Sequence, residues 1–280
     1  MPHLYSDAGP MKPNLIYDVG AHKGEDTEFY LKKGFSVVAI EAHPDLAASI
    51  RTRFPEEMNS GRLTVINTAI ARTAGSVEFF ANRSKPNWGT IDAEWADRNA
   101  RLGAPSETRI LPSITFDTVL SQHGIPYYLK VDIEGTDLLC LEALKKFSGR
   151  PKYISIESEK VRWRDLRYEF ALFQSIGYNR FKIIDQEKVP GQSPPDPPLE
   201  GRYAAHDFAY GSSGLFGDEL PGEWLTASEA INTYRRIFVS YLLFGDNTIG
   251  QEVLKRVPLA RRYKELLRPS FYDTHARHSA

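Results

Sequence analysis

Two short segments of similar design constrain the fold of this chain more than any other feature of its sequence. Each is an apolar run that ends abruptly in acidic and glycine residues and is followed by a helical pattern. The first covers residues 15–24 (LIYDVGAHKG) and the second residues 127–135 (YYLKVDIEG). In an open α/β sheet, ligands bind in the crevice outside the carboxyl ends of the strands. The two segments therefore predict a ligand site built from two strand ends.

The first segment departs from the dinucleotide-binding fingerprint at one position. That fingerprint, G-x-G-x-x-G, needs its second glycine so that the backbone can approach a pyrophosphate. Here the first glycine is Gly20, and His22 stands where the second would be. The His22 side chain hinders a pyrophosphate, while Gly20 and Gly24 still allow a tight turn and a close helix start. The pattern therefore favours a nucleoside cofactor without a pyrophosphate, of which S-adenosylmethionine is the common one.

An acidic residue follows the second predicted strand at the spacing expected for a ribose contact. Glu41 ends the apolar run 36–41 and lies 23 residues after Asp18. An acid about 20 residues beyond such a loop accepts hydrogen bonds from ribose hydroxyls. Asp18 could receive the ammonium group of the cofactor or a backbone amide of the loop. His22 could contact cofactor or substrate, or it could only cap the turn.

Four stretches of the chain, in their order and spacing, resemble the FkbM-type methyltransferase family. They are residues 18–24 (DVGAHKG), 39–44 (AIEAHP), 67–71 (NTAIA) and 129–135 (LKVDIEG), and the likeness covers roughly residues 14–186. The resemblance implies a class I methyltransferase fold, a Rossmann-like α/β protein with a seven-stranded sheet and helices on both faces. It also implies S-adenosylmethionine as cofactor and methylation of a hydroxyl of a sugar, polyketide or related metabolite.

The first three of these stretches supply the predicted cofactor contacts. The predicted cofactor-binding residues are Asp18, Gly20, Ala21, His22, Gly24, Glu41, Asn67, Thr68 and Ala69. Residues 67–69 follow the third strand, near which the adenine ring sits in this fold. Their short side chains would let the ring approach, and Thr68 could hydrogen-bond to it. An ordinary turn is the alternative, because asparagine tolerates unusual backbone angles.

The second segment carries the predicted catalytic residues. Lys130 and Asp132 are two apart on a strand and share a face, and Glu134 follows at the strand exit. Charged residues are rare inside a central parallel strand, so Lys130 is hard to explain as a solvated residue. We predict Asp132 as the general base and Glu134 as the second choice, with Lys130 lowering the pKa of Asp132 and orienting it. A purely structural Lys130–Asp132 pair is the alternative.

Two further carboxylates, Glu157 and Glu159, end the fifth strand of the predicted parallel sheet. Together with Asp132 and Glu134 they could face one crevice. Four carboxylates there could bind Mg²⁺ through oxygen ligands, or they could hydrogen-bond a polyhydroxylated substrate. No metal-ligand spacing supports the first interpretation, so we predict that no metal is needed.

Strand and helix patterns alternate along the chain, which predicts a parallel sheet with crossover helices. The predicted strands are residues 15–19, 37–40, 63–67, 76–81, 127–132, 153–157, 180–184 and 205–210. The predicted helices before residue 220 are residues 26–33, 46–54, 116–123, 137–147 and 164–176. Residues 82–109 are polar, contain two tryptophans and predict a mobile loop or short helix over the site.

The predicted organisation has three parts: a flexible leader at residues 1–12, a methyltransferase domain at residues 13–220 and a C-terminal helical extension at residues 221–280. The extension shows helical patterns at residues 227–244 and 251–267. The family resemblance does not reach beyond about residue 220. Oligomerisation through these C-terminal helices is one expectation for the extension.

Charge and cysteine content narrow the class of protein. The 280 residues contain 35 lysines and arginines against 36 acidic residues. The net charge therefore predicts no general attraction to nucleic acid or to an anionic membrane. The only cysteine, Cys140, excludes an intrachain disulfide and favours a reducing compartment. No signal peptide and no run of about 18 apolar residues is visible. We expect a cytoplasmic protein without a membrane span.

Two other functions stay open beside methyl transfer to a small hydroxylated acceptor. One is a nicotinamide-dependent oxidoreductase on a similar sheet, against which His22 argues. The other is a non-catalytic cofactor-binding or scaffold protein whose C-terminal helices form an interaction surface. Calorimetry with S-adenosylmethionine, S-adenosylhomocysteine and NAD separates the three.

Overall fold

Two β-sheets organise the part of the chain that the computed structural model describes, residues 9–82, 84, 88–158, 162–244 and 270–279. In chain order the strands are β1 (Lys12–Val19), β2 (Ser36–Ile40), β3 (Leu63–Ile66), β4 (Ala69–Ile70), β5 (Gly75–Asn82), β6 (Ser106–Ile114), β7 (Pro126–Val131), β8 (Tyr153–Glu157), β9 (Tyr178–Asp185) and β10 (Tyr272–His278). Strands β4, β5 and β6 form a small sheet, and the other seven form the large one.

α-Helices connect most of the strands. In chain order they are α1 (Glu25–Lys32), α2 (Pro44–Arg53), α3 (Pro55–Asn59), α4 (Ala93–Arg101), α5 (Phe116–His123), α6 (Leu138–Leu144), α7 (Trp163–Ser175) and α8 (Ala227–Phe244). Local signals explain several helix starts. Helices α2 and α3 begin with proline, whose fixed φ suits a first turn. Asp92 caps α4 by accepting hydrogen bonds from the backbone N–H groups of Glu94 and Trp95.

Strands β1 and β7 lie side by side at the centre of the large sheet, whose order is β3-β2-β1-β7-β8-β10-β9. The chain runs from β1 outward through β2 and β3 and returns to β7 on the other side, so the order reverses between β1 and β7. The register places Asp18 opposite Lys130 and Val19 opposite Val131. Ligands bind at such a switch point, outside the carboxyl ends of the strands. The two motifs of the sequence therefore meet at one place.

The two faces of the large sheet are covered differently. One face packs against α5, α6, α7 and α8, and its core includes Leu120, Leu141, Phe170 and Tyr234. The other face packs against α1 and α2 over part of its width. Over the remainder it is covered by the irregular segment 186–222. This second face therefore depends on side chains of a loop for its packing.

The segment 186–222 is held to the sheet by aromatic and ionic contacts. The ring of Phe216 stacks on that of Tyr128, with centroids 4.7 Å apart. Lys33 of the connection after α1 forms an ion pair of 2.7 Å with Glu219, and both side chains are fully buried. Loss of one partner of such a pair is strongly destabilising, because the remaining charge is then buried alone. The segment is therefore an integral part of the domain.

The last strand of the large sheet is not where the sequence predicts it. Residues 205–210 were expected to form this strand, and they form none. Strand β10 instead inserts between β8 and β9 and runs antiparallel to both. Its sequence YDTHARH has little strand character, yet Thr274 and Ala276 are fully buried. The pairing on both sides, which a local pattern does not show, makes this segment a strand.

The predicted three-part organisation changes at its C-terminal boundary. Helix α8 confirms the helix predicted at residues 227–244, while the helix predicted at 251–267 lies outside the described residues. Because β10 belongs to the sheet, the segment 221–280 is not purely helical and contributes to the domain core. At the other end, β1 begins at Lys12, and residues 1–8 of the expected leader lie outside the described residues.

The expected lid at residues 82–109 contains regular structure where it is described. Strand β5 confirms the strand predicted at 76–81, and β6 pairs with it in antiparallel fashion from Gly75–Ser113 to Asn82–Ser106. Helix α4 lies in the connection between the two strands. A backbone bridge between Phe80 and Thr90 ties the start of this connection to β5. The segment therefore belongs to a β-hairpin whose connection contains α4.

Helix α8 is the longest helix in the described part of the chain, with 18 residues. Ala230 and Tyr234 on one side of it are fully buried against the sheet. The hydroxyl of Tyr234 lies 2.8 Å from that of Thr274 on β10. Neither α8 nor any other described helix combines the length and apolar character needed to cross a bilayer.

Candidate active site

The loop after β1, residues 20–24, presses against the end of β7. Gly20 has φ +81°, and a β-carbon placed there would lie 1.8 Å from the carbonyl oxygen of Asp132. Gly24 has φ +82° and precedes α1. Both positions suit glycine because other residues are strained at such angles. This glycine loop therefore brings β1 and β7 closer together than a side chain at position 20 would allow.

A buried cation supports the glycine loop from below. The Nζ of Lys130 donates a hydrogen bond of 2.9 Å to the carbonyl oxygen of Gly20. It also forms ion pairs with Asp18 at 3.1 Å and Asp26 at 3.8 Å. Burial alone would lower the pKa of Lys130, but the carboxylates of Asp18, Asp132 and Asp26 outweigh it and the net pKa is raised. The surrounding carboxylates therefore favour the positively charged form of Lys130 under the loop.

The role predicted for Lys130 toward Asp132 needs correction. Among the described residues, the ion pairs of Lys130 are with Asp18 and Asp26. The reason is the register, which places Asp18 directly opposite Lys130 on the neighbouring strand. Lys130 still lowers the pKa of Asp132 through its field, but burial dominates and the net pKa of Asp132 is raised. Lys130 therefore positions the glycine loop, and the simple Lys130–Asp132 pair is not formed.

Asp26 is a polar neighbour of Lys130 that the sequence did not reveal. Its Oδ1 accepts a hydrogen bond of 2.8 Å from the backbone N–H of Ser213. Burial raises the pKa of Asp26 to about 7. Thr27, the next residue, donates a hydrogen bond of 2.6 Å to Asp18. The first turn of α1 therefore completes the polar cluster below the loop, and an acid in a helical first turn gave no signal of this role.

Glu41 is fixed at the end of β2 by backbone groups. Its Oε2 accepts a hydrogen bond of 2.8 Å from the N–H of His22, and its Oε1 accepts one of 2.8 Å from the N–H of His43. The side-chain amide of Asn67 donates to the carbonyl oxygens of Glu41 and Ala42, at 2.8 and 3.0 Å. Burial raises the pKa of Glu41 despite the two N–H donors. The carboxylate is thus oriented while each oxygen keeps a lone pair for a ligand.

His22 occupies an unusual position in the glycine loop. Its φ is 51°, which is uncommon for a residue with a side chain. Its Nδ1 lies 3.3 Å from Glu25, while its Nε2 is buried without a hydrogen-bond partner among the described residues. Buried polar atoms are normally satisfied, so such an atom calls for an explanation. A ligand in the adjoining cleft would supply the partner.

A cleft, here called the central cleft, opens above these elements. Of the predicted site residues, those that line it are Gly20, His22, Glu41, Thr68, Ala69, Asp132 and Glu134. The other predicted site residues do not line it: Asp18, Ala21, Gly24, Asn67 and Lys130. The hydroxyl of Thr68 donates to the carbonyl oxygen of Pro112 at 2.9 Å. Its predicted hydrogen bond to an adenine ring would therefore compete with a bond inside the protein.

One wall of the central cleft is apolar and comes partly from residues that the sequence analysis missed. It is formed by Ile40, Ala69, Ile70, Phe79 and Ile91. Phe79 belongs to β5, and a β-carbon at Gly89 would lie 2.5 Å from its ring. The alternation along β5 predicted a strand, but it did not show which side of that strand would face a ligand.

Three carboxylates cluster where the central cleft reaches the end of β8. Oxygens of Asp132, Glu134 and Glu157 lie within 4.8 Å of one another. Burial raises the pKa of Asp132, and the neighbouring Glu157 raises it further. Glu159, which the sequence analysis grouped with them, lies outside the described residues. The cluster joins the ends of the two strands that the sequence predicted to be neighbours.

Asp273, on the unexpected strand β10, is close enough to this cluster to interact with its charges. It pairs in register with Glu157 of β8. Burial raises the pKa of Asp273 well above its ordinary range, and the charges of Asp132 and Glu157 act in the same direction. No sequence signal could have found this residue, because β10 itself was not predicted.

A second pocket, here called the side pocket, lies beside the central cleft. Residues 132–137, here called the carboxylate loop, separate the two. Ile133, Glu134 and Thr136 line the central cleft, whereas Gly135 and Asp137 line the side pocket. Helices α4 and α7 form its other walls. The carboxylate cluster therefore has a cavity on each side.

The strand order, with its reversal after β1 and an antiparallel strand second from the edge, defines the class I methyltransferase fold. The sequence matches the family model "Methyltransferase FkbM domain" over residues 18–182, and the chain belongs to this family. The predicted class, an S-adenosylmethionine-dependent methyltransferase, is thereby confirmed.

Solved structures similar to this chain include two methyltransferases. One is an S-adenosylmethionine-dependent methyltransferase from Thiobacillus denitrificans in complex with S-adenosyl-L-homocysteine, with 8% identity, a TM-score of 0.35 and coverage of 96% of this chain and 87% of that chain. The other is a methyltransferase of the same description from Geobacter sulfurreducens, with 12% identity, a TM-score of 0.35 and coverage of 95% and 84%. No curated protein sequence gives a significant match. The fold assignment comes from the strand order and the family match.

Proposed function

We propose that this protein methylates a hydroxyl group of a small acceptor, such as a sugar or natural product, with S-adenosylmethionine bound in the central cleft. The observation that carries the proposal is the placement of Glu41 and Asp132 on the walls of one cleft. Glu41 is a fixed acceptor for ribose hydroxyls, and Asp132 is a carboxylate at the reacting end. The cleft thus combines a nucleoside site with a proton acceptor.

Three features fit S-adenosylmethionine to the central cleft. The two backbone-held oxygens of Glu41 suit the two ribose hydroxyls. The apolar wall with Phe79 and Ile91 suits the adenine ring. The buried Nε2 of His22, without a partner among the described residues, suits a polar group of the cofactor. When bound, S-adenosylmethionine supplies an electrophilic methyl group.

Asp132 is the proposed base for the acceptor hydroxyl. An aliphatic hydroxyl is a poor nucleophile, so a positioned group that takes its proton assists the transfer. Burial raises the pKa of Asp132, which makes it a better proton acceptor than an ordinary aspartate. Glu134 lines the same cleft and is the second choice. Lys130 acts indirectly by holding the glycine loop through Gly20.

Titration calorimetry tests the cofactor assignment first. S-adenosylmethionine and S-adenosylhomocysteine should bind with similar heats, and NAD should not bind, because His22 replaces the glycine that a pyrophosphate needs. Binding of NAD alone would favour the oxidoreductase alternative. Mass spectrometry of cell extracts incubated with the protein and S-adenosylmethionine then tests transfer. New products heavier by one methylene unit are expected, and cofactor binding without any such product would favour the non-catalytic alternative.

A further inference from the structure

The side pocket adjoins the carboxylate cluster that contains the proposed base. Its floor is the end of β8, including Glu157, whose carboxylate belongs to the cluster with Asp132 and Glu134. Gly135 of the carboxylate loop forms the shared wall with the central cleft. A molecule in the side pocket would therefore reach the proposed base from the side opposite the cofactor.

One wall of the side pocket is a ladder of three residues on α4. Trp95, Arg98 and Arg101 line the pocket and are spaced three residues apart, so they lie on neighbouring turns of one helix face. The guanidinium of Arg98 lies 4.8 Å from the centre of the Trp95 ring. A β-carbon at Gly135 would lie 2.3 Å from the Trp95 ring. The indole therefore rests on the backbone of the carboxylate loop and fixes α4 against it.

The arginines of this pocket differ in whether they are paired. Arg162, at the start of α7, forms ion pairs with Asp165 at 3.1 Å and with Glu94 at 3.6 Å. Arg98 and Arg101 form no ion pair among the described residues, although acidic side chains line the same pocket. Two guanidinium groups on one helix face without carboxylate partners are free to bind an anion.

Two of the acidic residues of the pocket, Asp137 and Glu169, are 8% and 2% exposed, so they belong to the floor. Glu94 also lines the pocket, but it is exposed and pairs with Arg162 at 3.6 Å. Arg101 is exposed and Arg98 half-buried, so they belong to the rim. Guanidinium groups bind carboxylates and phosphates through paired, charge-assisted hydrogen bonds. An occupant with hydroxyls at one end and an anionic group at the other would match this arrangement.

We propose that the side pocket is the acceptor site, and that Arg98 and Arg101 select hydroxylated acceptors that carry a carboxylate or phosphate group. The selection rests on the methyl transfer proposed above. Arg98 and Arg101 are specificity-determining residues, since they bind the anionic end and leave the chemistry to the carboxylate cluster.

Matched compounds test the proposal by binding. The sugar series is glucose, glucuronic acid and glucose 6-phosphate, and the aromatic series is 4-hydroxybenzyl alcohol and 4-hydroxybenzoate. Each compound is titrated into the protein saturated with S-adenosylhomocysteine. An anionic member of at least one series should bind about tenfold or more tightly than its neutral partner, the size expected for charge-assisted hydrogen bonds. Comparison of carboxylate with phosphate members shows which anion is preferred.

A charge-matched pair of variants assigns the effect to the two arginines. Arg98→Gln combined with Arg101→Gln should abolish the preference for the anionic compound and leave binding of the neutral one unchanged. Arg164→Gln combined with Arg167→Gln removes the same charge from exposed positions of α7 that do not line the pocket, and should change neither. Arg101→Gln alone, which keeps the Arg98–Trp95 contact, should lose part of the preference if the double variant is unstable.

The outcomes separate the acceptor site from the proposed function. Equal binding of anionic and neutral members in both series overturns the selection by Arg98 and Arg101. A preference that persists in the double variant, or disappears equally in the α7 control, overturns it as well. Failure of S-adenosylhomocysteine to bind would instead count against the proposed function, and the comparison of variants on the free protein would still decide the role of the arginines.

Discussion

The central cleft and the side pocket adjoin one loop, yet they are built from different parts of the polypeptide. The central cleft is made of strand ends, a glycine loop and a carboxylate held by backbone N–H groups. The side pocket is made largely of long side chains on α4 and α7. Substitutions of side chains in the side pocket should leave the sheet intact, whereas substitutions in the central cleft alter the centre of the sheet. The difference indicates how one fold can keep its cofactor while its acceptor changes.

The largest effect that this comparison predicts is on stability. Lys130→Met should leave Asp18 and Asp26 buried without their common cation. We expect the free energy of unfolding to fall by about 3–5 kcal/mol, as for other buried ion pairs that lose one partner. Urea denaturation measures the loss. Lys23→Met, at an exposed position in the same loop, is the control. An equal loss in both variants would contradict the stabilising role of the Lys130 ion pairs.

The next effect separates chemistry from cofactor binding. Asp132→Asn keeps the shape of the side chain but cannot take a proton, so methyl transfer should fall by about 10²-fold or more. The affinity for S-adenosylmethionine should stay within a few-fold. Single-turnover rates and melting temperature are measured on the same sample, with Asp97→Asn on the exposed side of α4 as control. A lower melting temperature with nearly normal turnover would make Asp132 a structural residue.

A change of Glu41, at the other end of the central cleft, should affect cofactor binding rather than the chemical step. Glu41→Ala should weaken S-adenosylmethionine binding by the loss of charge-assisted hydrogen bonds, about 1.5–3 kcal/mol. Glu41→Gln should lose less, because its amide oxygen still accepts one backbone hydrogen bond. Calorimetry measures both against Glu78→Ala, an exposed acid on β5. Unchanged affinity in a folded Glu41→Ala variant would move the cofactor elsewhere.

The free energy of unfolding should depend on pH through Asp137 of the carboxylate loop. Burial raises the pKa of Asp137 to about 7, so its protonated form is favoured by folding. A raised carboxyl pKa contributes stability that is present below its unfolded value, near pH 4, and is lost as the pH rises through about 7. Asp137→Asn keeps an acceptor for the N–H of Ile133, which lies 3.1 Å away.

The stability of the Asp137→Asn variant relative to the unmodified protein should therefore increase between pH 4 and pH 8. The slope of this difference is at most about 1.4 kcal/mol per pH unit for one group. Denaturation curves at several pH values measure it. A difference that is constant with pH would show that Asp137 does not titrate in this interval.

The smallest expected effect is that of a chelator. Although oxygens of Asp132, Glu134 and Glu157 lie within 4.8 Å of one another, we predict that turnover needs no metal, because no ligand spacing in the sequence indicates one. Activity should survive dialysis against EDTA. If activity falls and Mg²⁺ restores it, the carboxylate cluster is a metal site and the role of Asp132 as base must be revised.

The parts of the central cleft that can be located from the sequence are those with local signals. Gly20 and Gly24 mark a turn with positive φ, and Glu41 follows one strand and helix later. Both depend only on spacing along a short stretch. The meeting of β1 with β7 also follows from the alternation of strands and helices, since their carboxyl ends must lie on one edge of the sheet.

The sequence does not predict what depends on contacts between distant segments. The partner of Lys130 is set by the register of two strands, which placed Asp18 rather than Asp132 beside it. Asp273 reaches the carboxylate cluster because β10 inserts between β8 and β9. The ladder on α4 becomes a pocket wall only because Trp95 packs on Gly135. Polar or exposed residues give no periodic pattern that would reveal such contacts.

The position of β10 has a consequence for how the protein is made. Strands β8 and β9 leave the ribosome well before β10, yet β10 lies between them in the finished sheet. Until residues 272–278 emerge, β8 and β9 each have an unpaired edge that is open to wrong partners. A nascent chain that has already formed its central cleft still exposes these unpaired edges, and we expect chaperone binding to concentrate in this interval of synthesis.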